Sequence, residues 1–370
     1  MKKLFILSII LFFLSFFTQA QDETPHIFTK ICEVPYTTVK NQGRAGTCWC
    51  FATMSFLESE ILRLGQGELD LSEMFIVRHT QPIKAKKYVR YHGDVSFGDG
   101  GQAHDLFYVI KNYGIVPDEV YDGLQLGDTI HNHGELTEVL QSMLDAVVAK
   151  KGGKITSVWD KAFESVMDVY LGKIPDEFEY NSKKYSPKSF FQELEINPDD
   201  YIELTSFLHH PFYEKFVLEI PDNWMDCYYY NLPLDELMQT INYALENGFS
   251  VAWDGDVSEK TFYWKKGYAV IPKDEKEDGS APEKELVVTQ ELRQESFDNF
   301  TTTDDHLMHL VGLYQNQEGT KFYYTKNSWG ETGKYNGFLY MSEPFVKMKT
   351  IAIMVHKDAI PNEIRNKLKL

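Results

Sequence analysis

The chain has 370 residues, of which 37 are lysine or arginine and 55 are aspartate or glutamate, so its formal charge at pH 7 is -18. Such acidity disfavours nucleic acid and anionic membrane surfaces, and we expect neither as a partner. A hydrophobic fraction of 43% over this length is enough for a large core, in one elaborated domain or in two.

The amino-terminal segment has the pattern of a secretory signal peptide. Two lysines precede an almost unbroken apolar run from Leu4 to Phe17, and small residues lead to a cleavage point after Ala20. The run is too short for a comfortable membrane span, although a retained anchor is the alternative. We therefore expect residues 1–20 to be removed and residues 21–370 to be exported to the periplasm or the medium, without a membrane attachment.

Residues 42–52, Gln-Gly-Arg-Ala-Gly-Thr-Cys-Trp-Cys-Phe-Ala, place a cysteine at the start of a predicted helix. Apolar residues recur near a spacing of 3.6 after Cys48, and Gly65 is a suitable stop. Unpaired amides and the positive helix end favour an anion there, so we expect this thiol to ionise more readily than a free one. Core packing is the alternative for a lone cysteine. Gln42 offers an amide that, with the Cys48 backbone amide, is suited to hold an oxyanion.

The remaining cysteines are less informative. Cys48 and Cys50 are two residues apart, about 200° around a helix axis, so we expect them to face apart and Cys50 to pack in the core. An exported protein has room for one disulfide, but the spacing identifies no pair among Cys32, Cys50 and Cys227.

The middle of the chain predicts several further elements. Residues 98–101 read Gly-Asp-Gly-Gly and precede a periodic helix. Amphipathic helices are predicted at 135–149 and 157–171, a third helical stripe at 234–245, and a strand at 250–253. We expect no metal and no cofactor.

The paired histidines His209 and His210 are the one hint of a metal site. They stand before a proline, and no second ligand cluster accompanies them in the sequence. A turn before proline is therefore the favoured interpretation.

Two stretches near the carboxyl end carry an imidazole and an amide. Residues 309–314, His-Leu-Val-Gly-Leu-Tyr, predict a short buried strand led by His309, and Asn327 opens an Asn-Ser-Trp-Gly run after a second strand-like segment. His306 is the alternative imidazole, but it follows two aspartates in a polar approach, so we favour His309. A thiol, an imidazole and an amide fit the roles of nucleophile, base and orienting group.

Together these motifs resemble those of the papain-like cysteine peptidases. The resemblance implies that Cys48 is the nucleophile, His309 the base, Asn327 the group that orients the imidazole, and Gln42 the oxyanion-hole glutamine. It also implies an α+β, papain-like two-lobed fold. A helical lobe would carry the Cys48 helix, and a β-rich lobe would carry His309 and Asn327.

The chain departs from the family pattern in two ways. Ala45 replaces the first cysteine of the family signature and Gly98 replaces its partner, so one family disulfide is missing at both ends. His309 also follows Cys48 by over a hundred residues more than the family spacing of about 130 to 150. The excess predicts a large, mostly helical insertion at about 124–234.

This insertion and two motifs resemble the bleomycin hydrolase and aminopeptidase C branch. The motifs are Tyr-Asn-Leu-Pro-Leu-Asp-Glu-Leu at 230–237 and Val-Ala-Trp-Asp-Gly-Asp-Val at 251–257. The branch trims peptides from their amino ends, uses a carboxyl-terminal arm to restrict its cleft, and forms hexameric rings. The tail after Asn327 is shorter than that arm, so a homo-oligomer and exopeptidase restriction rest on the resemblance alone.

Gly100 and Gly101 match two glycines that line the non-primed side of the cleft in relatives and bond the substrate backbone. A side chain there would block an extended peptide. Asp99, beside them, is a candidate for binding a substrate α-ammonium, and a solvated loop aspartate is the alternative. The sequence thus favours a secreted cysteine aminopeptidase that acts on peptides. An endopeptidase with an open cleft and a catalytically silent peptide-binding protein are the rivals.

Overall fold

The computed structural model describes residues 26–125, 127–149, 154–274 and 284–370. The predicted signal peptide, residues 1–20, lies outside these ranges. Within them, no helix combines the length and the apolar character needed to cross a bilayer.

The described residues form helices mainly in the first half of the chain and strands mainly in the second. The helices are α1 (Cys48–Arg63), α2 (Glu73–Arg90), α3 (Ala103–Tyr113), α4 (Gly134–Val148), α5 (Trp159–Leu171), α6 (Pro187–Glu193), α7 (Leu234–Glu246), α8 (Gln290–Asp298), α9 (Glu343–Lys349) and α10 (Asn362–Leu368). The strands are β1 (Thr29–Glu33), β2 (Phe178–Tyr180), β3 (Lys183–Tyr185), β4 (Tyr201–Thr205), β5 (Lys215–Val217), β6 (Tyr228–Asn231), β7 (Val251–Gly255), β8 (Phe262–Tyr263), β9 (Tyr268–Ala269), β10 (His306–Gln315), β11 (Lys321–Lys326), β12 (Phe338–Ser342) and β13 (Thr350–His356).

One large sheet organises the second half of the chain. Its strand order is β5-β6-β4-β13-β7-β10-β11-β12-β9-β8, and β1 pairs with β10 away from this path. Neighbours are antiparallel apart from β4 with β6 and β12 with β9. The central strand β10 therefore touches β7 on one side and β11 on the other, which brings residues near 254, 306 and 327 to one end of the sheet.

Helix α1 lies between the helical lobe and the sheet. Most of its residues are buried, and it packs against β10 and β7. Because side chains alternate along a strand, Ala252 and Leu307 face the helical lobe while Trp253 and Met308 face the opposite core with α7, α9 and α10. The predicted α+β, two-lobed architecture is thus confirmed.

The insertion is less helical than we expected. Its first part supplies α4, α5 and α6, as the apolar spacing predicts. Its second part supplies β4, β5 and β6, which join the main sheet through the pairing of β4 with β13. These strands are short and rich in tyrosine, and their pairing partner lies more than a hundred residues later, so local periodicity did not reveal them.

The last helix, α10, packs on α7 and not beside Cys48. Ile364 and Leu368 are buried, Glu363 accepts a hydrogen bond from Gln239, and Lys367 pairs with Glu236 at 2.7 Å. These contacts place the described carboxyl-terminal residues on the β-rich lobe.

Candidate active site

Cys48 is the first residue of α1 and sits where the two lobes meet. The residue as a whole is only partly buried. The backbone amide of Leu307 acts on the sulfur and favours its ionised form. The preceding residue, Thr47, makes no side-chain cap; its carbonyl accepts from the Cys50 and Phe51 amides, and the Cys48 amide is left without a side-chain cap. The predicted placement of the thiol at the start of a helix is confirmed.

Gln42 lies on the loop before α1 and is held by a loop of the other lobe. Its backbone amide donates to Ser328 O at 2.8 Å, and Ser328 Oγ donates to Gln42 Oε1 at 2.5 Å. Gln42 Nε2 donates to Ala45 O at 2.8 Å. An amide nitrogen carries two hydrogens, so one remains for an oxyanion.

The imidazole that meets Asn327 is that of His306. Their Nε2 and Oδ1 atoms are 2.8 Å apart, and the Ser328 backbone amide also donates to Asn327 Oδ1 at 2.7 Å. An atom that accepts from a backbone amide must be the oxygen, so the His306 nitrogen donates to it. The proton of neutral His306 is thus on Nε2, and Nδ1 is its basic atom. Trp329 covers the pair, with ring centroids 4.8 Å from His306.

The predicted pairing of His309 with Asn327 is wrong. His309 is fully buried on the strand face that packs against α1, and its Nδ1 lies 2.9 Å from Ser55 Oγ. Ser55 is two turns beyond Cys48, about 10 Å along the helix at 1.5 Å per residue. Lys326 Nζ donates to the same Ser55 hydroxyl at 2.8 Å. His309 therefore belongs to a buried polar network behind the helix, away from the thiol.

The wrong histidine was predicted because the strand starts three residues earlier than expected. Strand β10 begins at His306, which pairs with Gly255 of β7, and not at His309. Leu307 and Met308 are apolar, so the apolar run already starts immediately after His306. The sequence thus contained a signal for the correct histidine, although two aspartates precede it.

Burial favours the neutral forms of both reactive groups. It raises the pKa of the Cys48 thiol to about 12; the Leu307 amide opposes this shift, while nearby carboxylates add to it. Burial lowers the pKa of His306 to about 4, against the hydrogen bond with Asn327. Burial and negative charge thus oppose the predicted easy ionisation of the thiol in the substrate-free site.

Gly100 and Gly101 both stand in close contacts, but protein groups fill the space. A Cβ at Gly100 would lie 2.1 Å from Asp222 Oδ2, and one at Gly101 would lie 2.6 Å from Asp105 Oδ2 and 2.9 Å from the Trp49 ring. Glycine is required at both positions, as predicted, but for a different reason. The groups that leave no room for a side chain belong to this chain and not to a bound peptide.

The carboxylate of Asp99 is engaged by groups of this chain, so its hypothesised role is not supported. Its Oδ2 accepts from the Gly46 amide at 3.2 Å and its Oδ1 from Thr137 Oγ1 at 3.0 Å, while His133 lies 3.7 Å away. Burial raises its pKa, but these donors outweigh burial and hold the pKa of Asp99 below its ordinary value. Asp99 therefore stabilises the loop that precedes Cys48, through its hydrogen bond with the Gly46 amide.

All four cysteines of the described residues are free thiols. Cys50 is buried and its thiol points to Glu73 O, as expected for a packing residue.

Glu219 lies between His209 and His210, at 3.1 and 2.9 Å from their Nε2 atoms. The possible metal-ligand atoms of these three residues all lie within 4.8 Å of one another. The sequence spacing of the histidines did not indicate that Glu219 joins them.

Three carboxylates near Cys48 were not among the predicted site residues. Asp222, Asp254 and Asp304 each add to the negative charge that acts on the thiol. Burial, then Asp304, raises the pKa of Asp254 well above its ordinary value, and burial followed by Asp222 raises the pKa of Asp304 to about 7. They come from three distant segments, so no local spacing marks them as a group.

Known proteins resemble this chain along most of its length. Residues 14–370 match the family model described as Peptidase C1-like family. Aminopeptidase G of Lactobacillus delbrueckii subsp. lactis is 25% identical, with 88% of this chain and 82% of that protein covered. Bleomycin hydrolase of Mus musculus is 22% identical, covering 92% and 84%. The crystal structure of PepW from Lactobacillus rhamnosis HN001 superposes with a TM-score of 0.73 at 20% identity, covers 92% of this chain and 84% of that one, and shows a shared fold.

Proposed function

The chain belongs to the Peptidase C1-like family and is a cysteine peptidase of the bleomycin hydrolase and aminopeptidase C branch, and we propose that it removes amino-terminal residues from peptides. Relatives named aminopeptidase support cleavage at the amino end of the substrate. The observation that carries the proposal is the 2.8 Å contact between His306 and Asn327 at the cleft that holds Cys48.

In the proposed reaction, the sulfur of Cys48 attacks the scissile carbonyl carbon. His306 Nδ1 accepts the thiol proton as the sulfur–carbon bond forms, because Nε2 is committed to Asn327. The same nitrogen then gives that proton to the leaving amine as the carbon–nitrogen bond breaks. Water, deprotonated by His306, attacks the thioester, and the thiol is restored when the acid leaves.

The oxyanion of each tetrahedral intermediate needs fixed donors. Gln42 Nε2 has one hydrogen left after its bond to Ala45 O, and the Cys48 backbone amide belongs to the open first turn of α1. Ser328 fixes the Gln42 carbonyl and also donates through its backbone to Asn327. One short loop therefore positions the oxyanion donor and the group that orients His306.

A pair of fluorogenic substrates tests this function. We expect the wild type to release fluorophore from a leucyl coumarin amide and to leave the N-acetylated compound intact, and we expect Cys48→Ala to cleave neither. Equal cleavage of both compounds would show an endopeptidase. A wild type that binds an electrophilic peptide at Cys48 but turns over neither compound would show a peptide-binding protein.

We also propose that the chain is exported. The support is the pair of lysines, the apolar run and the small residues that end at Ala20. Amino-terminal sequencing of the protein recovered from the periplasm or the medium should begin at Gln21. Recovery of a chain that still begins at Met1 would contradict export with cleavage.

A further inference from the structure

Three carboxylates from separate segments border the thiol. Asp222 lies on the loop between β5 and β6, Asp254 on β7, and Asp304 just before β10. Gln102 Nε2, at the start of α3, donates to Asp304 Oδ2 at 2.9 Å and ties this carboxylate to the opposite lobe. The group therefore lines the cleft on both sides of the lobe boundary.

Asp254 is buried without a donor. It is 3% exposed, and no donor among the described residues reaches either of its oxygens. Across the sheet it pairs with Leu307, whose backbone amide acts on the Cys48 sulfur. Its carboxyl partner is Asp304, and those two can share a hydrogen bond only when one holds a proton. Buried polar groups are normally satisfied, and a cationic ligand would satisfy these oxygens without that shared proton.

Asp222 packs against the glycine pair. Its carboxylate rests on Gly100, where even a Cβ would lie 2.1 Å from Oδ2. Asn223 fixes the loop because its Nδ2 donates to Leu218 O and Cys227 O, each at 3.0 Å. The cation that faces Asp222 is Lys84, which is already bonded to the carbonyls of the glycine loop.

We propose that Asp222, Asp254 and Asp304 bind the α-ammonium group of the substrate, and that Asp222 blocks any residue before it. This inference rests on the proposed peptidase function. In the residue that carries the scissile carbonyl, the nitrogen lies about 2.5 Å from the carbonyl carbon, so an ammonium there sits beside Cys48. It offers three donors, which suits a cluster of acceptors.

Binding also couples to reactivity. The same carboxylates repel a thiolate and contribute to the raised pKa of Cys48. A bound ammonium offsets their charge and makes the thiol easier to ionise. A free amino terminus thus both fits the cleft and prepares the nucleophile.

Binding to an inactive variant tests recognition separately from turnover. In the Cys48→Ala protein, calorimetry would compare leucyl-alaninamide with its N-acetyl form. We expect the free peptide to bind at least about tenfold more tightly, and Asp222→Asn or Asp304→Asn to weaken it about ten- to hundredfold without changing the acetylated peptide. Asp226→Asn is the matched control, since Asp226 is an exposed residue of the same loop, paired with Lys87 at 2.6 Å.

Each outcome decides the proposal. Equal affinity for the free and acetylated peptides, or an equal loss in Asp226→Asn, would overturn it. Tighter binding of acetyl-lysyl-leucyl-alaninamide than of acetyl-leucyl-alaninamide would assign the cluster to a side-chain cation of the preceding residue, which also overturns it. If the free peptide binds as expected but the wild type hydrolyses nothing, the ammonium site stands and the peptidase function fails. If the wild type hydrolyses peptides but binds both forms equally, the peptidase function stands and the ammonium site fails.

Discussion

His306 and His309 lie three residues apart on β10 and offer a sharp test of the site. His306→Ala removes the nitrogen that takes the Cys48 proton, and we expect kcat/KM to fall at least about a thousandfold, or ~4 kcal/mol of transition-state stabilisation. His309→Ala removes a fully buried ring that bonds Ser55 and leaves a cavity beside Lys326. We expect it to lower the free energy of unfolding by about 2–4 kcal/mol while kcat/KM stays within about threefold.

The assay combines initial rates on a leucyl coumarin amide with urea unfolding of the same preparations. His309→Gln is the conservative control, because its amide can still reach Ser55 and should recover part of the lost stability. Loss of activity in folded His309→Ala, together with an active His306→Ala, would refute the assignment of His306 as the base.

Three other substitutions probe neighbouring contacts. Asn327→Ala frees the imidazole to rotate and should lower kcat about ten- to a hundredfold with a smaller change in KM, in the same assay; an unchanged kcat would remove the orienting role. Asp99→Asn should cost about 1–3 kcal/mol at pH 7 in urea unfolding. Because the pKa of Asp99 is lowered, that deficit should shrink as the pH falls below about 3.8, and its persistence there would contradict the contact account. Burial, followed by the charges of Asp222 and Asp305, raises the pKa of Asp304 to about 7, so kcat/KM for a free-amine peptide should drop below pH 7 as its negative charge is lost. The pH–rate profile should lose this limb in Asp304→Asn, and an unaltered limb would exclude Asp304 as its source.

Much of the fold was predictable because its signals are local. The Cys48 helix, its stop before Gly65, and the helices of the insertion follow apolar spacing that a single segment carries. The strands β4 to β6 were missed because they are stabilised by β13, far along the chain. Export and ring assembly stay predictions.

The site was predictable where one motif defines one residue. Gln42 and Asn327 come together as the resemblance implies, with Ser328 as the added link, and Cys48 begins the helix that follows Gln42. The choice between His306 and His309 depended on which residue starts β10, and strand pairing with β7 decides that. The carboxylates were missed because their grouping arises only when three distant segments meet.

Covalent labelling tests the central claim most directly. A leucyl chloromethyl ketone with a free amine should add once to the wild type, and peptide mapping should place the adduct on Cys48. Labelling should be lost in His306→Ala, retained in His309→Ala, and slow for the N-acetylated reagent. An adduct on Cys32, Cys50 or Cys227, or equal labelling of both histidine variants, would contradict a Cys48–His306 pair that acts on peptide amino ends.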